Sequence, residues 1–430
     1  MYYLSSLVFR SGAVIVGILL TYVQASTITI AELGYFHIGY AMLLGLSTVA
    51  RWGLGLSLLK LGGELHEASD RRLLLNYFSR GFIYVLFFSM ACMAIAIGLF
   101  SLSSIRLLFN NPPEDALRML LLSIPFNSIL SIFGSYLRVV ERPNLAVFFE
   151  SSGILFFVLV FSCTGIFFNV DLTLLIYTTF YFISSALVFI GAFLYFYYDA
   201  SKVNYGLINI GNSVYFSGSR MFNNINNFAL LDIIAFATYY AVYFIISLLL
   251  SAEHVGVFLV AYKISTGFNF IMVAINGVTV GQFSKLYSLN RKSDLHKLCN
   301  RSLAFALLIG TPLIIMIIFF HAKILAAFDI SSNNSNAGLV LLILSFGQFF
   351  GLFSGSAGTL ISMSDCQHRL RKITMFALAF TLCLITIFGY FYGIIGASLG
   401  LSIGLIVRSL KIYMLSMEIF SFNTIPRLHK

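Results

Sequence analysis

The sequence is poor in charged side chains. Only 10% of its 430 residues are Asp, Glu, Lys or Arg, whereas about a quarter of an ordinary soluble protein is charged. Hydrophobic residues make up 59% of the chain, which is enough for about twelve membrane spans of roughly 20 residues each. This balance excludes a soluble multidomain enzyme, a secreted disulfide scaffold and a disordered chain, and it predicts an all-α polytopic membrane protein.

Reactive and metal-binding motifs are lacking as well. The five cysteines are odd in number and show neither CxxC nor Cys/His metal spacing, so no metal site or disulfide framework is predicted. The sequence shows no nucleophile and base pair and no phosphate-binding glycine loop. We therefore predict a protein that is not an enzyme and needs no cofactor.

Long apolar segments follow one another along the chain. Hydropathy predicts twelve spans, at 4–29, 36–60, 78–100, 116–140, 145–168, 172–197, 228–250, 255–280, 302–320, 337–361, 373–391 and 394–417. The N-terminal segment has no small-residue cleavage site, and its Arg10 lies within the apolar stretch. It is therefore predicted to be the first span rather than a signal peptide.

The basic residues lie mostly on one side of these spans. Of the 26 Lys and Arg residues, 20 fall on one face, whereas the opposite face holds only Arg106, Arg118 and Lys323 together with six acids. Because Lys and Arg favour the cytoplasmic side, both termini are predicted to be cytoplasmic. The net charge of +10 is then explained by topology and anionic lipid headgroups rather than by nucleic acid binding.

An internal repeat points to two halves. Residues 34–40 (GYFHIGY) follow Ala31-Glu32, and the similar residues 256–262 (GVFLVAY) follow Ala252-Glu253. The separation, from 34 to 256, is close to half the chain and places the start of span 2 on the start of span 8. Repeated six-span halves are typical of transporters built around a central site.

We therefore predict an N-terminal six-helix lobe at 1–203 and a C-terminal six-helix lobe at 228–430. Between them, residues 204–227 carry apolar side chains at helical spacing with asparagines on the other faces. This pattern predicts an amphipathic linker helix in the membrane interface.

Several segments resemble the polysaccharide flippases of the multidrug/oligosaccharidyl-lipid/polysaccharide exporter superfamily, and in particular the O-antigen repeat-unit flippases. They are residues 31–60, 252–302, 358–370 and 392–415. The resemblance implies two six-helix lobes around a V-shaped central cavity. It also implies movement of an undecaprenyl-diphosphate-linked oligosaccharide from the cytoplasmic to the periplasmic leaflet of the bacterial inner membrane by alternating access. The expected protein is a monomer that contacts membrane lipids and the polysaccharide polymerase machinery.

Three cations lie deep inside predicted spans, where a charged side chain costs about 2.5–3.5 kcal/mol and usually marks a transport pathway. They are Arg51, Lys263 and Arg408. The nearest acids, Glu150 and Asp232, lie four or five residues inside the cytoplasmic ends of their spans and are not expected to neutralise them. This positive surplus favours an anionic cargo, and the cavity cations are predicted to bind its diphosphate.

Some of these assignments have a structural alternative. In the related lipid II flippase, cations on spans 1, 2 and 8 line the lumen, and Arg10, Arg51 and Lys263 lie on the same spans of this chain. Arg10 is equally placed to reach the interface, and Arg408 is equally placed to reach the cytoplasmic headgroups.

Other polar residues within the spans are weaker candidates. Asp232 and Glu150 could couple transport to a proton or sodium gradient or to the membrane potential, although an acid near a helix N-terminus is also stabilised by the helix dipole. Gln24, Tyr22 and Asn276 could line the cavity or form hydrogen bonds between helices.

Two other functions compete with the flippase. A cation-coupled multidrug exporter of the same superfamily would be expected to place carboxylates in the lumen. A membrane O-antigen polymerase or ligase would need a large external loop, whereas the longest external connections predicted here lie near 101–115 and 321–336.

Overall fold

The computed structural model describes residues 2–59, 71–102, 111–201, 240–289, 291–330, 336–362 and 366–420, and also residues 107, 109, 229, 232, 233, 237 and 364. For some of them, Arg10 among them, it describes the backbone alone. The predicted linker at 204–227 lies outside the described residues. In the part of the chain that is described, the regular secondary structure is helical and no strand occurs.

The described chain forms two compact units. We call residues 12–244 the N-terminal unit, and residues 1–11 with 245–430 the C-terminal unit. The division falls after the predicted linker because Asp232 and Tyr240 share a cavity with helices of the N-terminal unit.

In the first half of the chain, the described residues include eight helices and one π-helical turn. They are α1 (Tyr2–Thr27), α2 (Ile30–Arg51), α3 (Arg71–Phe100), α4 (Glu114–Leu121), α5 (Ile124–Val139), α6 (Pro143–Val147), the π turn Phe148–Ser152, α7 (Gly153–Phe167) and α8 (Leu174–Ser201). Helix α5 contacts α2, α3, α8 and the π turn, and 14 of its 16 residues are buried. It is therefore the central helix of the N-terminal unit.

The second half begins with α9 (Tyr240–Leu249). It continues with α10 (Ala252–Ser265), α11 (Gly267–Ser288), α12 (Lys292–Ala327), α13 (Ala337–Gly351), α14 (Ala357–Ser362) and α15 (Gln367–Phe420). Helix α13 contacts α10, α12 and α15, so it holds the central position in the C-terminal unit.

Nine helical segments among the described residues are long and apolar enough to cross a membrane, and two shorter apolar helices, Ile15–Thr27 and Tyr240–Leu249, accompany them. The chain is therefore a multi-pass membrane protein. Five of the nine segments agree with a predicted span to within four residues at each end, three overlap a span with larger shifts, and the last covers predicted spans 11 and 12. The count of twelve spans and the side on which the termini lie remain predictions.

Helix α2 is shifted toward the N-terminus relative to its predicted span, 36–60. It begins earlier because Thr29 and Glu32 form a capping box, in which each side chain accepts a hydrogen bond from the backbone N–H of the other residue. It ends at Arg51 because Trp52 and Gly53 have positive φ angles of 45° and 76°. Hydropathy cannot detect this break, since apolar residues continue on both sides of it.

Helix α15 is a hairpin of two helices that meet at Gly393, where φ is 60° and ψ is −140°. This conformation favours glycine, and it lies between predicted spans 11 and 12. The two arms are closely spaced at Gly396, Gly400 and Gly404, where added Cβ atoms would lie within 3 Å of the opposite arm or of the bend. Small residues at four-residue spacing permit such close approach between membrane helices.

Candidate functional site

The N-terminal unit contains a cavity of about 420 Å³. Its wall is built by α2, α5, the segment from the π turn into α7, and α8, together with Asp232 and Tyr240. Of the fourteen lining residues that the structure describes, eleven are polar: Tyr40, Ser47, Thr48, Arg51, Asn127, Ser131, Glu150, Ser151, Tyr181, Asp232 and Tyr240. The cavity therefore offers many hydrogen-bonding groups inside a unit that is otherwise rich in apolar side chains.

Arg51 enters this cavity from the last turn of α2. Its Nη1 donates a hydrogen bond to the hydroxyl of Ser131, and its Nη2 donates to Thr48 Oγ1 at 3.0 Å. Its Nε is buried without a hydrogen-bond partner. The guanidinium is thus held by neutral hydroxyls, and its Nε–H donor remains unpaired.

Glu150 reaches the same network from the π turn. Ser131 donates to Glu150 Oε1 at 3.3 Å, and Arg138 forms an ion pair with Glu150 Oε2. A π turn inserts an extra residue into a helix and occurs often at functional sites. Gly134 makes room for it, since a Cβ at Gly134 would lie 3.2 Å from Glu150 Oε2. Arg51, Ser131, Glu150 and Arg138 therefore form one continuous polar chain.

Asp232 also lines the cavity, and its Oδ2 is buried without a hydrogen-bond partner. Leaving a buried acceptor without a partner costs about 1–3 kcal/mol, and more for a charged group. Asp232 Oδ2 and Arg51 Nε are therefore two buried polar atoms of the described wall whose hydrogen-bonding capacity the protein itself does not use.

Tyrosine rings and an amide complete the wall. Tyr40 and Tyr181 pack edge to face with their ring centroids 5.6 Å apart. The Tyr181 hydroxyl donates to Asn127 Oδ1 at 3.0 Å, and Asn127 Nδ2 donates to the Ser123 carbonyl at 3.0 Å. These contacts fix the amide and the two rings in one orientation.

The charges in and beside the cavity balance. Arg51 and Arg138 carry two positive charges, and Glu150 and Asp232 carry two negative charges when all four are ionised. The expectation that the acids do not neutralise Arg51 stays a prediction, since Arg51 bonds to neutral hydroxyls and Glu150 pairs with Arg138. Residue counts along single helices did not show that four separate segments bring these side chains into and beside one cavity.

The candidates in the C-terminal unit lie on separate elements. Lys263 is in the last turn of α10, and Asn276 is on α11 with its Oδ1 buried and without a hydrogen-bond partner. Arg408 is on the second arm of α15 and is partly buried. Residues Val255 to Ala261 of the same helix are all buried. Lys263 therefore lies at the C-terminal end of a buried, mostly apolar segment.

The candidates on α1 are not among the residues that line the cavity. Gln24 is 1% exposed, and its Nε2 is buried without a hydrogen-bond partner. Tyr22 is 44% exposed. The side chain of Arg10 lies outside the described part of the chain.

Sequence reasoning did not identify the neutral part of the wall. Tyr40, Asn127, Ser131 and Tyr181 all line the cavity but were not singled out. A search for every polar residue inside an apolar span would have found them, whereas the search for charged residues found only Arg51, Glu150 and Asp232.

Known structures share this fold, although no family model matches the chain and no curated protein is similar to it in sequence. An inward-facing multidrug resistance MATE family transporter of the MOP superfamily superposes with a TM-score of 0.75 at 15% identity, covering 94% of this chain and 93% of that chain. An outward-facing MATE family transporter of the same superfamily gives 0.67 at 15% identity, covering 97% and 94%.

A MOP superfamily transporter from Pyrococcus furiosus, described as having a binding pocket of reverse polarity that suggests a different function, gives a TM-score of 0.66 at 12% identity and covers 97% and 94% of the two chains. At such low identities the likeness concerns the fold. The chain thus has the fold of the MATE transporters of the MOP superfamily.

Proposed function

We propose that this protein is an alternating-access flippase that moves a polyprenyl-diphosphate-linked oligosaccharide, of the O-antigen repeat-unit type, from the cytoplasmic to the periplasmic leaflet of a bacterial inner membrane. The observation that supports it most is the polar wall of the N-terminal cavity, with eleven polar residues among fourteen. Sites for drug-sized molecules are lined mostly by apolar and aromatic side chains, whereas a glycan headgroup needs hydrogen-bonding partners throughout.

The cations supply the second part of the proposal. Lys263, Arg408 and Arg10 are proposed to contact the diphosphate, and Arg51 is proposed to contact the cargo headgroup from within the cavity. Lys presents a compact charge without the forked geometry of Arg. Lys263 therefore suits a diphosphate that arrives in more than one orientation.

Complementation of a strain that lacks its own repeat-unit flippase tests this function. We expect the Arg51→Ala and Lys263→Ala variants, singly and together, to abolish surface polysaccharide while the protein is made at a normal level. Lys323→Gln is the matched control, because Lys323 is an exposed cation whose Nζ lies over the Phe320 ring. Full surface display by the double variant would refute the proposed role of these cations.

A cation-coupled multidrug exporter is the second candidate, and the two carboxylates of the cavity favour it. Glu150 and Asp232 are the groups through which a proton or sodium gradient or the membrane potential would act. We propose Asp232 as the first coupling residue to test, because its Oδ2 has no hydrogen-bond partner whereas Glu150 is paired with Arg138.

An efflux-deficient strain separates the two candidates. The flippase proposal predicts that expression of the chain leaves resistance to lipophilic cations unchanged. A several-fold rise in resistance that is lost in Asp232→Asn would favour the exporter. Flipping that is insensitive to Asp232→Asn and to the imposed gradient would exclude coupling through this carboxylate.

The remaining parts of the proposal concern the surroundings of the protein. We propose a multi-pass monomer that contacts membrane lipids and delivers its cargo to the polysaccharide polymerase machinery, without a cofactor and without nucleic acid.

A further inference from the structure

We propose that the cavity of the N-terminal unit is a subsite for one uncharged sugar ring of the cargo, separate from the place where the diphosphate binds. This inference rests on the proposed flippase function and makes it more specific. It assigns a ligand class to the cavity from the balance of charges, the free hydrogen-bonding capacity and the size of the cavity.

The charges oppose the two charged ligand classes. A diphosphate that entered the cavity would meet the carboxylates of Glu150 and Asp232, and like charges at close range are mutually repulsive. A cationic drug would meet Arg51, which lines the same cavity. Because the two arginines and two carboxylates balance, an uncharged ligand enters without leaving a charge unmatched.

The free hydrogen-bonding groups match a sugar hydroxyl. Arg51 Nε is a buried donor and Asp232 Oδ2 is a buried acceptor, and neither has a hydrogen-bond partner. A hydroxyl donates one hydrogen bond and accepts others, so a ring with several hydroxyls can satisfy both groups at once. A phosphate oxygen accepts only, and an ammonium donates only, so each of these ligands satisfies one group and leaves the other unpaired.

The dimensions limit how much of the cargo fits. The volume of about 420 Å³ lies near the lower end of the range of about 300–1,000 Å³ for small-molecule sites. Tyr40 and Tyr181 provide ring faces and edges beside the hydrogen-bonding groups. The cavity thus suits one sugar ring rather than a whole oligosaccharide with its lipid.

The chain contains its own reporter for a binding experiment. Its single tryptophan, Trp52, directly follows Arg51 in the sequence. The purified full-length protein in detergent is titrated with glucose, galactose, mannose, rhamnose, N-acetylglucosamine and N-acetylgalactosamine, and separately with pyrophosphate and with tetraphenylphosphonium. We expect at least one sugar to change the Trp52 emission saturably, and we expect no such change with pyrophosphate or tetraphenylphosphonium.

Three variants identify the ligand class. Tyr181→Phe and Tyr40→Phe each remove one hydroxyl and should weaken sugar binding about three- to tenfold, which is typical for one neutral hydrogen bond. Asp232→Asn should weaken sugar binding by a similar factor. If the cavity took a cation instead, this variant would weaken its binding much more, and if the cavity took pyrophosphate, the variant would strengthen it. Tyr84→Phe is the control, since Tyr84 stacks on Phe88 away from the cavity. Size-exclusion profiles identify any variant that has lost its fold. Such a variant is set aside, and the binding constants of the remaining variants are compared.

The outcomes separate this inference from the function on which it rests. Saturable sugar binding that is weakened by the cavity variants and unchanged in Tyr84→Phe supports the subsite. A response to pyrophosphate or tetraphenylphosphonium alone, or no response to any sugar, overturns it. Flipping of lipid-linked oligosaccharide without sugar binding would refute the subsite only, whereas sugar binding without flipping would refute the proposed function only.

Discussion

In the N-terminal unit, polar side chains connect neighbouring helices, whereas in the C-terminal unit the helices approach each other at glycines. Tyr136 on α5 donates to Asp199 on α8 at 2.7 Å, and Ser57 and Tyr77 share a hydrogen bond of 2.6 Å. In the C-terminal unit, a Cβ added to Gly347 or Gly400 would lie 2.7 Å from backbone atoms of the facing segment. The first unit thus contains buried polar pairs between helices, and the second contains approaches of backbone to backbone that leave no room for a side chain.

The two copies of the internal repeat, one in each unit, also differ. Helices α2 and α10 begin alike, each after a hydroxyl residue in an extended conformation and each with an acid in the first turn. Both carry a cation in the last turn, but Arg51 lies 17 residues after Gly34 and Lys263 only seven after Gly256. Arg51 and Lys263 therefore do not occupy corresponding positions in the two repeats. The repeats share the start of the helix but not the position of the cation.

Adding one methyl group tests the glycine contacts, and we expect the largest effect there. Gly400→Ala places its Cβ against the backbone of Leu384 and Ile385 and should destabilise the protein by about 3 kcal/mol, at the upper end for overpacking. Gly39→Ala in the N-terminal unit meets only the ends of the Leu120 and Leu117 side chains, which can turn away. Thermal unfolding in detergent compares the two variants, and equal melting temperatures would contradict the distinction between the units.

Removing one hydroxyl tests the polar connections. Tyr136→Phe removes the hydroxyl that donates to the Asp199 carboxylate, in a position where Asp199 is 3% exposed and Tyr136 is fully buried. The expected loss of stability is about 2 kcal/mol, because the partner left behind is buried and polar. Tyr84→Phe removes an exposed hydroxyl and should leave the unfolding temperature unchanged; a similar loss in both variants would show that the buried pair contributes nothing specific.

The two helix starts provide the smallest and most direct comparison. Thr29→Ala removes the cap that accepts from the Glu32 N–H at 3.2 Å and should cost about 1 kcal/mol. Ser251 bonds to His254 Nδ1 at 2.7 Å and does not cap the backbone of α10, so Ser251→Ala should cost less than half as much. Chemical unfolding of the two variants measures the difference, and a larger loss for Ser251→Ala would reverse the expected order.

Much of the fold was predictable because it depends on apolar length. The long apolar segments indicated most of the spans, and the bend at Gly393 lies where one predicted span ends and the next begins. The end of α2 was not predictable from hydropathy, since it depends on the positive φ angles of Trp52 and Gly53 rather than on polarity.

The site was predictable only in part. The cost of burying a charge singled out Arg51, Glu150 and Asp232 one by one. Their association required knowledge of how α5 and the π turn face α2, and the neutral residues Asn127 and Tyr181 carry no signal in a count of charges. Long-range contacts of this kind are a property of the folded unit and not of any single segment.

Leaflet exchange in proteoliposomes tests the proposed function most directly. Undecaprenyl-diphosphate-linked oligosaccharide is incorporated into both leaflets together with the purified protein, and an impermeant lectin added outside measures the exposed glycan. We expect the inner pool to become accessible with the unaltered protein and with Lys323→Gln, and to stay protected with Arg51→Ala or Lys263→Ala. An inner pool that stays protected with the unaltered protein, while a lipophilic cation is moved across the same membranes, would contradict it.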